Sequence, residues 1–140
     1  MPMIELTAPA GSLTDTGRRT VQRDLAAIAL KWEGLPDTEF IRSLAWAYLH
    51  ELPAGAQTTA ADDLPRFRVD VRVQAGALSD QRRDGLVREA TAVVLKAAGL
   101  DIADAARVWV LIHEQAVRTW GAGGQVVTLA ALDTAAPQTT

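Results

Sequence analysis

Two histidines and a proline near the start are the residues of this sequence whose positions suggest chemistry. Cysteine is absent, which excludes disulfides and thiolate chemistry. The two histidines, His50 and His113, are each followed by a glutamate. Neighbouring residues of a strand point to opposite faces, so one His-Glu pair cannot bind a metal with both side chains. Two histidines could meet across a sheet, but no third ligand has suitable spacing, and we expect neither a metal nor another cofactor.

The proline after the first methionine is a second group with chemical potential. Removal of Met1 would expose Pro2 as a secondary amine. A free α-amino group titrates near ~8, and an apolar pocket with nearby arginines would lower that pKa. A neutral amine can move a proton to or from a carbon beside a carbonyl, and a protonated one can act as an acid. The alternative is that Pro2 only starts a strand, where its missing N–H costs nothing.

An internal repeat predicts the elements that position these groups. Residues 3–15 (MIELTAPAGSLTD) align with residues 68–80 (RVDVRVQAGALSD) in one register, which also aligns Gly34 with Gly99. Farther on, WAYLHEL from Trp46 aligns with WVLIHEQ from Trp109, and the second copy is shorter by two residues. We infer a gene duplication.

Each copy is predicted to form a strand, a helix and a second strand. Apolar and polar residues alternate over 67–74 and, more weakly, over 4–7. Thr14-Asp15 and Ser79-Asp80 indicate helix starts, and the two aligned glycines indicate helix ends. The apolar helix stripes are Val21, Leu25, Ile28 and Trp32 in the first copy and Leu86, Ala90, Val93 and Ala97 in the second. The closing strands are expected over 44–51 and 107–114, each after a short turn.

Two such units predict an α/β (α+β) fold, in which one four-stranded sheet carries both helices on one face. The opposite face would hold aromatic and charged groups together: Arg68, Asp70, Arg72, Arg107, Trp109 and His113. That mixture is too apolar for water and too polar for a core, so we expect oligomerisation. We predict a single domain over 1–140, made of repeats 2–53 and 66–134, with a linker at 54–65 and a disordered tail at 135–140.

Composition and charge restrict the partners. Hydrophobic residues make up 49% and charged residues 22%, as in a folded soluble protein. The net charge is −3 and Lys/Arg clusters are absent, which argues against nucleic acid. Glu5 interrupts the first apolar stretch, and nothing approaches the ~20 apolar residues of a membrane span. We expect a cytoplasmic protein without a membrane partner.

The sequence resembles the tautomerase superfamily, which includes 4-oxalocrotonate tautomerase and macrophage migration inhibitory factor (MIF). The resemblance rests on the start MPMIEL, the turns APAGSLTD and VQAGALSD, two β-α-β units of about sixty residues, and the ending VWVLIHEQAVRTWGAGG. It implies a tautomerase/MIF-like fold, a homotrimer with the sheets facing inward, and Pro2 as the catalytic amine.

The sequence departs from the family at two kinds of position. An arginine of the tautomerase just before the helix start is replaced by Leu13 and Leu78, and another on the second strand by Trp46 and Trp109. These replacements favour a substrate more apolar than a dicarboxylate.

In place of the two missing family arginines, we expect Arg68, Arg72 and Arg107 to supply positive charge to the pocket. Trp109 and Trp120 are expected to form its walls. The alternative for Arg68 and Arg72 is pairing with Glu5 and Asp70, and for Trp120 simple interface packing.

Another candidate pair is Glu114 and His113, as groups that position water. By resemblance, Glu114 matches a water-activating glutamate of the cis-chloroacrylic acid dehalogenase. The alternative is a strand-end carboxylate that bonds to backbone.

The resemblance therefore implies an isomerase that uses Pro2 as general base or acid for keto–enol tautomerisation of a small carbonyl acid or aromatic enol. One alternative is a Pro2-dependent hydratase, dehalogenase or decarboxylase. Another is a non-catalytic trimeric binding or structural protein.

Overall fold

A computed structural model of the protein describes residues 1–130, so the predicted tail at 135–140 lies outside the described residues. The strands are β1 (Met3–Pro9), β2 (Trp46–Leu52), β3 (Phe67–Gln74), β4 (Val108–Gln115), β5 (Trp120–Ala122) and β6 (Gln125–Val127). The helices are α1 (Asp15–Glu33), α2 (Glu39–Ser43) and α3 (Asp80–Ala97), with a 3-10 helix at Ile102–Arg107.

The main sheet confirms the predicted architecture. Its strand order is β2-β1-β3-β4, with β1 parallel to β2 and β3 parallel to β4. The two β-α-β units meet along the antiparallel pair β1 and β3, where Met3 lies opposite Arg72 and Thr7 opposite Arg68. The amino-terminal end of β1 therefore lies beside the carboxyl-terminal end of β3. This antiparallel junction determines which residues share a site with Pro2.

The long helices begin where the capping residues predict. The Thr14 hydroxyl accepts a hydrogen bond from the Gly17 N–H, and the Ser79 hydroxyl accepts one from the Arg82 N–H. At the other end, α1 stops at Gly34, whose φ of 72° is left-handed.

The core lies between the sheet and the two long helices. Alternate residues of β1 and β3 point into it: Ile4, Leu6, Ala8, Phe67, Val69, Val71 and Val73. The predicted stripe of α3 packs against this core. Val93 is half-buried in it, and its neighbour Val94 is fully buried.

Two short helices replace the predicted turns before β2 and β4. The Thr38 hydroxyl accepts from the Ile41 N–H at the start of α2, and the Asp101 carboxylate accepts from the Ala103 N–H at the start of the 3-10 helix. Both closing strands begin one or two residues later than predicted. Arg107 consequently ends the 3-10 helix and is not a residue of the sheet.

The segment between the repeats, residues 53–66, contains neither helix nor strand. The Thr59 N–H donates to the Asp62 carbonyl at 3.0 Å, and the Arg66 N–H donates to Gln57 Oε1 at 2.9 Å. The segment joins the end of β2 to the start of β3, which is the end of the sheet remote from Pro2. No helix among the described residues is long and apolar enough to cross a membrane.

Candidate active site

Pro2 lies immediately before β1, and its side chain is fully buried. Its carbonyl accepts a hydrogen bond from the Trp46 N–H at 3.2 Å, which joins the start of β1 to the start of β2. A cavity of about 500 Å³ opens beside it. The lining residues are Met1, Pro2, Met3, Leu44, Trp46, Arg72, Gln115, Thr119, Trp120 and residues 121–123.

The walls of the cavity are largely apolar. Trp46 lies on one side, and its indole N–H donates to the Ser43 carbonyl at 3.1 Å. Trp120 lies on the small hairpin of β5 and β6, which turns at Gly123 and Gly124, both with positive φ. The hairpin returns past the end of β4, and this places Trp120 in the wall, as the sequence predicts.

Arg72 is the only charged side chain among the described residues that line the cavity. Its Nη1 donates to Glu5 Oε2 at 2.8 Å, so a carboxylate on β1 already compensates its charge. His50 Nε2 lies 3.4 Å from the other Glu5 oxygen. The predicted pairing of Arg72 with Glu5 is thus present, and the arginine still faces the cavity.

A buried carboxylate holds the amino terminus. The Met1 amine donates to Glu33 Oε2 at 2.9 Å, and the Glu33 side chain is only 4% exposed. Burial raises the pKa of the Glu33 carboxyl, and the Met1 charge only partly offsets this. The other oxygen, Oε1, is buried and has no hydrogen-bond partner among residues 1–130.

Sequence reasoning missed Glu33, although it carried a signal. The last turn of a helix favours basic residues because the negative end of the helix dipole lies there. A glutamate as the final residue of α1 contradicts that preference.

Three predicted binding residues lie away from this cavity. Arg68 is opposite Thr7, four positions along β3 from Arg72, and Trp109 pairs with Arg68. Four strand residues span about 13 Å. The prediction grouped them with Pro2 because it considered their common face but not the antiparallel direction of β1 and β3.

Arg107 is also directed elsewhere. Its Nε donates to the Pro65 carbonyl at 3.0 Å, and Nη1 lies 3.3 Å from Asp104 Oδ1. Arg107 therefore fixes the chain between the linker and the 3-10 helix, and the expected place on the sheet face was wrong.

A family model described as "Tautomerase enzyme" matches residues 68–130, which contain most of the second repeat. The solved structure of Pt0534 inactivated by 2-oxo-3-pentynoate is 18% identical, with a TM-score of 0.74 over 89% of this chain and 94% of that chain. The second repeat is therefore similar to the tautomerase family, and the chain as a whole has the fold of this structure. No curated protein sequence matches the chain.

Two further solved structures have a similar fold. Q0, a fused 4-OT described as a symmetric trimer, is 16% identical, with a TM-score of 0.75 over 95% of this chain and 98% of that chain. N1, a member of the cis-3-chloroacrylic acid dehalogenase family, is 20% identical, with a TM-score of 0.74 over 90% of this chain and 83% of that chain. Identities this low show the fold alone. The choice among reactions must come from this chain's own residues.

The two candidates for positioning water lie outside the lining of this cavity. His113 Nε2 is 2.8 Å from Asp70 Oδ1, on the face of the sheet away from the helices. Glu114 forms an ion pair with Arg83 of α3, on the helix side. The next residue, Gln115, reaches the cavity instead. His50 and His113 lie on the two opposite outer strands, so they do not meet within one chain.

The face of the sheet opposite the helices is the open face, with charged residues at its centre and apolar residues on its outer strands. Asp70 accepts hydrogen bonds from Arg68 and pairs with His113, both at 2.8 Å. The exposed apolar residues are Trp46 and Tyr48 on β2 and Trp109 and Leu111 on β4. Trp109 is 69% exposed in the isolated chain, which is a large unburied indole.

Proposed function

We propose that this protein belongs to the tautomerase superfamily and is an enzyme in which Pro2, freed as a secondary amine by removal of Met1, transfers protons in keto–enol tautomerisation. The observation that carries the proposal is that Pro2 lines a largely apolar cavity of about 500 Å³. That volume suits a small organic acid. A proline that only started a strand would need no such cavity beside it.

The chemistry requires one proton donor or acceptor at a fixed place. In conversion of an enol to its ketone, a proton is added to carbon and the hydroxyl proton is lost to water. Pro2 as an ammonium would deliver the first proton and recover one from solvent. In the reverse direction, the neutral amine would take the proton from carbon. The rigid ring holds the nitrogen in position without loss of side-chain entropy.

The lining suggests an aromatic or monocarboxylate substrate. Trp46 and Trp120 supply flat apolar surfaces, and Arg72 supplies one guanidinium that can hold one carboxylate or carbonyl oxygen. Glu5 compensates part of the charge of that guanidinium. A dicarboxylate would therefore carry an uncompensated charge into the cavity, which is costly.

We also propose that the chain works as a homotrimer. The open face leaves Trp109 and Leu111 exposed on an outer strand, and burial against neighbouring copies would remove this apolar area from water. The fused 4-OT neighbour described as a symmetric trimer supports this arrangement.

Ketonisation of phenylenolpyruvate tests the tautomerase proposal. Mass spectrometry first establishes whether Met1 is removed, and the wild type is then compared with Pro2→Ala and with Pro36→Ala, which changes an exposed proline. We expect the rate to fall at least about 100-fold in Pro2→Ala, the usual size of a lost acid–base group, and to stay unchanged in Pro36→Ala. Equal rates in wild type and Pro2→Ala would contradict the proposal.

A second candidate reaction is Pro2-dependent hydration or dehalogenation. The observation that favours it is the carboxylate of Glu33 at the amino terminus, which stabilises a protonated amine. Release of chloride from 3-chloroacrylate without activity on the enol would identify this chemistry. No activity on either compound, with Met1 removed, would favour a trimeric binding or structural protein.

A further inference from the structure

Glu33 occupies a position that is unfavourable for a carboxylate. It is the last residue of α1, where the negative end of the helix dipole repels a negative charge. Its side chain is 4% exposed, and no group in the described part of the chain forms a hydrogen bond with its buried Oε1. Burying such a group costs folding free energy, and groups buried at such a cost are concentrated at functional sites.

Comparison of the two repeats indicates the task. In the register that aligns Gly34 with Gly99, Glu33 aligns with Ala98 and Pro2 aligns with Phe67. The second repeat therefore has neither the proline nor the buried carboxylate. A purely structural end to the helix is achieved with alanine, whose N–H caps the final turn of α3.

We infer that Glu33 is the positioning residue and counter-ion of the amino-terminal amine, and that in the processed chain it holds the Pro2 ammonium. The inference rests on the proposed use of Pro2. In the unprocessed chain, Glu33 Oε2 is 2.9 Å from the Met1 nitrogen. Standard bond lengths put the Pro2 nitrogen at most about 3.7 Å from that nitrogen. Removal of Met1 leaves space for the carboxylate to turn toward Pro2, or for one water to join them.

The other charges nearby do not replace Glu33. Arg82 of α3 donates to the main-chain carbonyl of Glu33 at 3.3 Å. Lys31 of α1 is directed to Glu89 at 2.6 Å. Arg72 faces the cavity from β3 and is bound to Glu5 of β1. Among these described groups, Glu33 is the carboxylate in contact with the amino terminus.

The contact with Glu33 determines whether Pro2 acts first as an acid or as a base. A buried carboxylate beside the amine favours the ammonium, so Pro2 would be protonated at neutral pH and act first as an acid. It would deliver its proton to the enol carbon, the enol hydroxyl would lose its proton to water, and the amine would recover a proton from solvent. The Glu33 carboxylate neither gains nor loses a proton in this cycle.

The test is the titration of the amino-terminal nitrogen in the full-length protein. The protein is labelled with ¹⁵N-proline, processing is verified by mass spectrometry, and the Pro2 nitrogen resonance is followed from about pH 5 to 10. The variants are Glu33→Gln and, in case the amide disturbs folding, Glu33→Met of similar shape. The matched control is Glu51→Gln, because Glu51 pairs with Arg18 at the opposite end of β2. Circular dichroism verifies the fold of each variant.

We expect the midpoint of the Pro2 titration to fall by about one unit or more in both Glu33 variants and to stay in place in Glu51→Gln. The pH at which kcat/KM for ketonisation falls to half of its acid-side value should move down by the same amount as the midpoint. An unchanged midpoint in the folded Glu33 variants overturns the inference even when activity depends on Pro2. A shifted midpoint in an inactive protein supports the inference and rejects the proposed tautomerisation. Retention of Met1 in the mature protein overturns the assignment of Glu33 to Pro2.

Discussion

Glu5 and Asp70 occupy equivalent positions in the two repeats and lie directly opposite each other across β1 and β3. Two carboxylates in that arrangement repel each other and destabilise a sheet. Each is compensated in the same way, by one arginine of β3 and one histidine of its own outer strand: Arg72 and His50 for Glu5, and Arg68 and His113 for Asp70. The pseudo-twofold axis of the duplication passes between the two carboxylates.

The Asp70 cluster predicts a pH-dependent contribution to stability. Burial acts to raise the pKa of Asp70, but the hydrogen bonds with His113 and Arg68 act together to lower it below its ordinary value. A depressed carboxyl pKa stabilises the fold above the unfolded value near ~3.9, and the contribution is lost as pH falls through the folded value.

We therefore expect Asp70→Asn to lower the free energy of unfolding by about 1–2 kcal/mol at pH 7 and by much less at low pH. Urea unfolding followed by circular dichroism at both pH values measures the difference. Asp37→Asn is the control, since Asp37 is exposed and its pair with Arg42 should contribute less than about 1 kcal/mol. An equal loss for Asp70→Asn at both pH values would show that the cluster does not act through the carboxylate charge.

Gly85 of α3 packs against the Trp32 ring of α1, and this contact leaves no space for a larger side chain at position 85. A Cβ added to Gly85 would lie 2.2 Å from Cη2 of Trp32, far inside van der Waals contact. Alanine is intrinsically better than glycine in a helix by about 1 kcal/mol, but the overlap should cost more. We expect Gly85→Ala to destabilise the protein by about 1–3 kcal/mol in thermal or urea unfolding.

The double variant Gly85→Ala with Trp32→Leu separates the two effects, because the smaller leucine removes the overlapping ring. If Gly85→Ala lowers the free energy of unfolding less in the Trp32→Leu background than in the wild type, the overlap is the cause. If the two backgrounds respond equally, the close packing of Trp32 on Gly85 does not limit stability.

Trp109 predicts the state of assembly. Its side chain is largely exposed on the open face of the isolated chain. A charged residue at this position would be harmless in a monomer but would be buried in a trimer that uses this face. We expect the wild type to sediment as a trimer and Trp109→Glu to dissociate to monomers, since burial of an unpaired charge costs several kcal/mol. Glu39→Gln, an exposed change on the short helix α2, is the control. A trimer that persists in Trp109→Glu would exclude the open face as the interface.

Trp120 predicts the apolar character of the site. Loss of its indole removes one wall of the cavity and admits water. We expect Trp120→Ala to raise KM for an aromatic enol about tenfold, equivalent to ~1.4 kcal/mol of lost contact, with a smaller change in kcat. Trp32→Phe, a change between the helices, is the control for tryptophan loss. An unchanged KM in Trp120→Ala would place the substrate elsewhere.

The fold was predictable where periodicity was strong. The alternation over 67–74 and the caps at Thr14 and Ser79 were enough to predict both β-α-β units. Burial of one face of a strand imposes the alternation of apolar and polar residues. Helix α2 was missed because its five residues are too few for a stripe, and its cap at Thr38 looks like a turn.

The site was only partly predictable. Pro2, Arg72 and Trp120 line one cavity, and each lies at a recognisable strand start, strand position or hairpin. Within one chain Trp109 lies away from them, because a shared face does not determine which end of a strand is near Pro2. Glu33 was missed because its burial comes from the folding of the amino terminus over the end of α1, and its only local signal is a carboxylate in the last helical turn.

The enclosed amino terminus has a practical consequence for handling this protein. The Met1 side chain is 8% exposed and its nitrogen pairs with the buried Glu33 carboxylate, so a residue attached there would remove the charge of this ion pair. A purification tag, a fluorescent fusion or a surface tether attached at that end would displace the first strand and block the amine. Immobilisation and affinity capture should therefore use a tether elsewhere, such as the exposed Gly55 turn in the segment between the repeats.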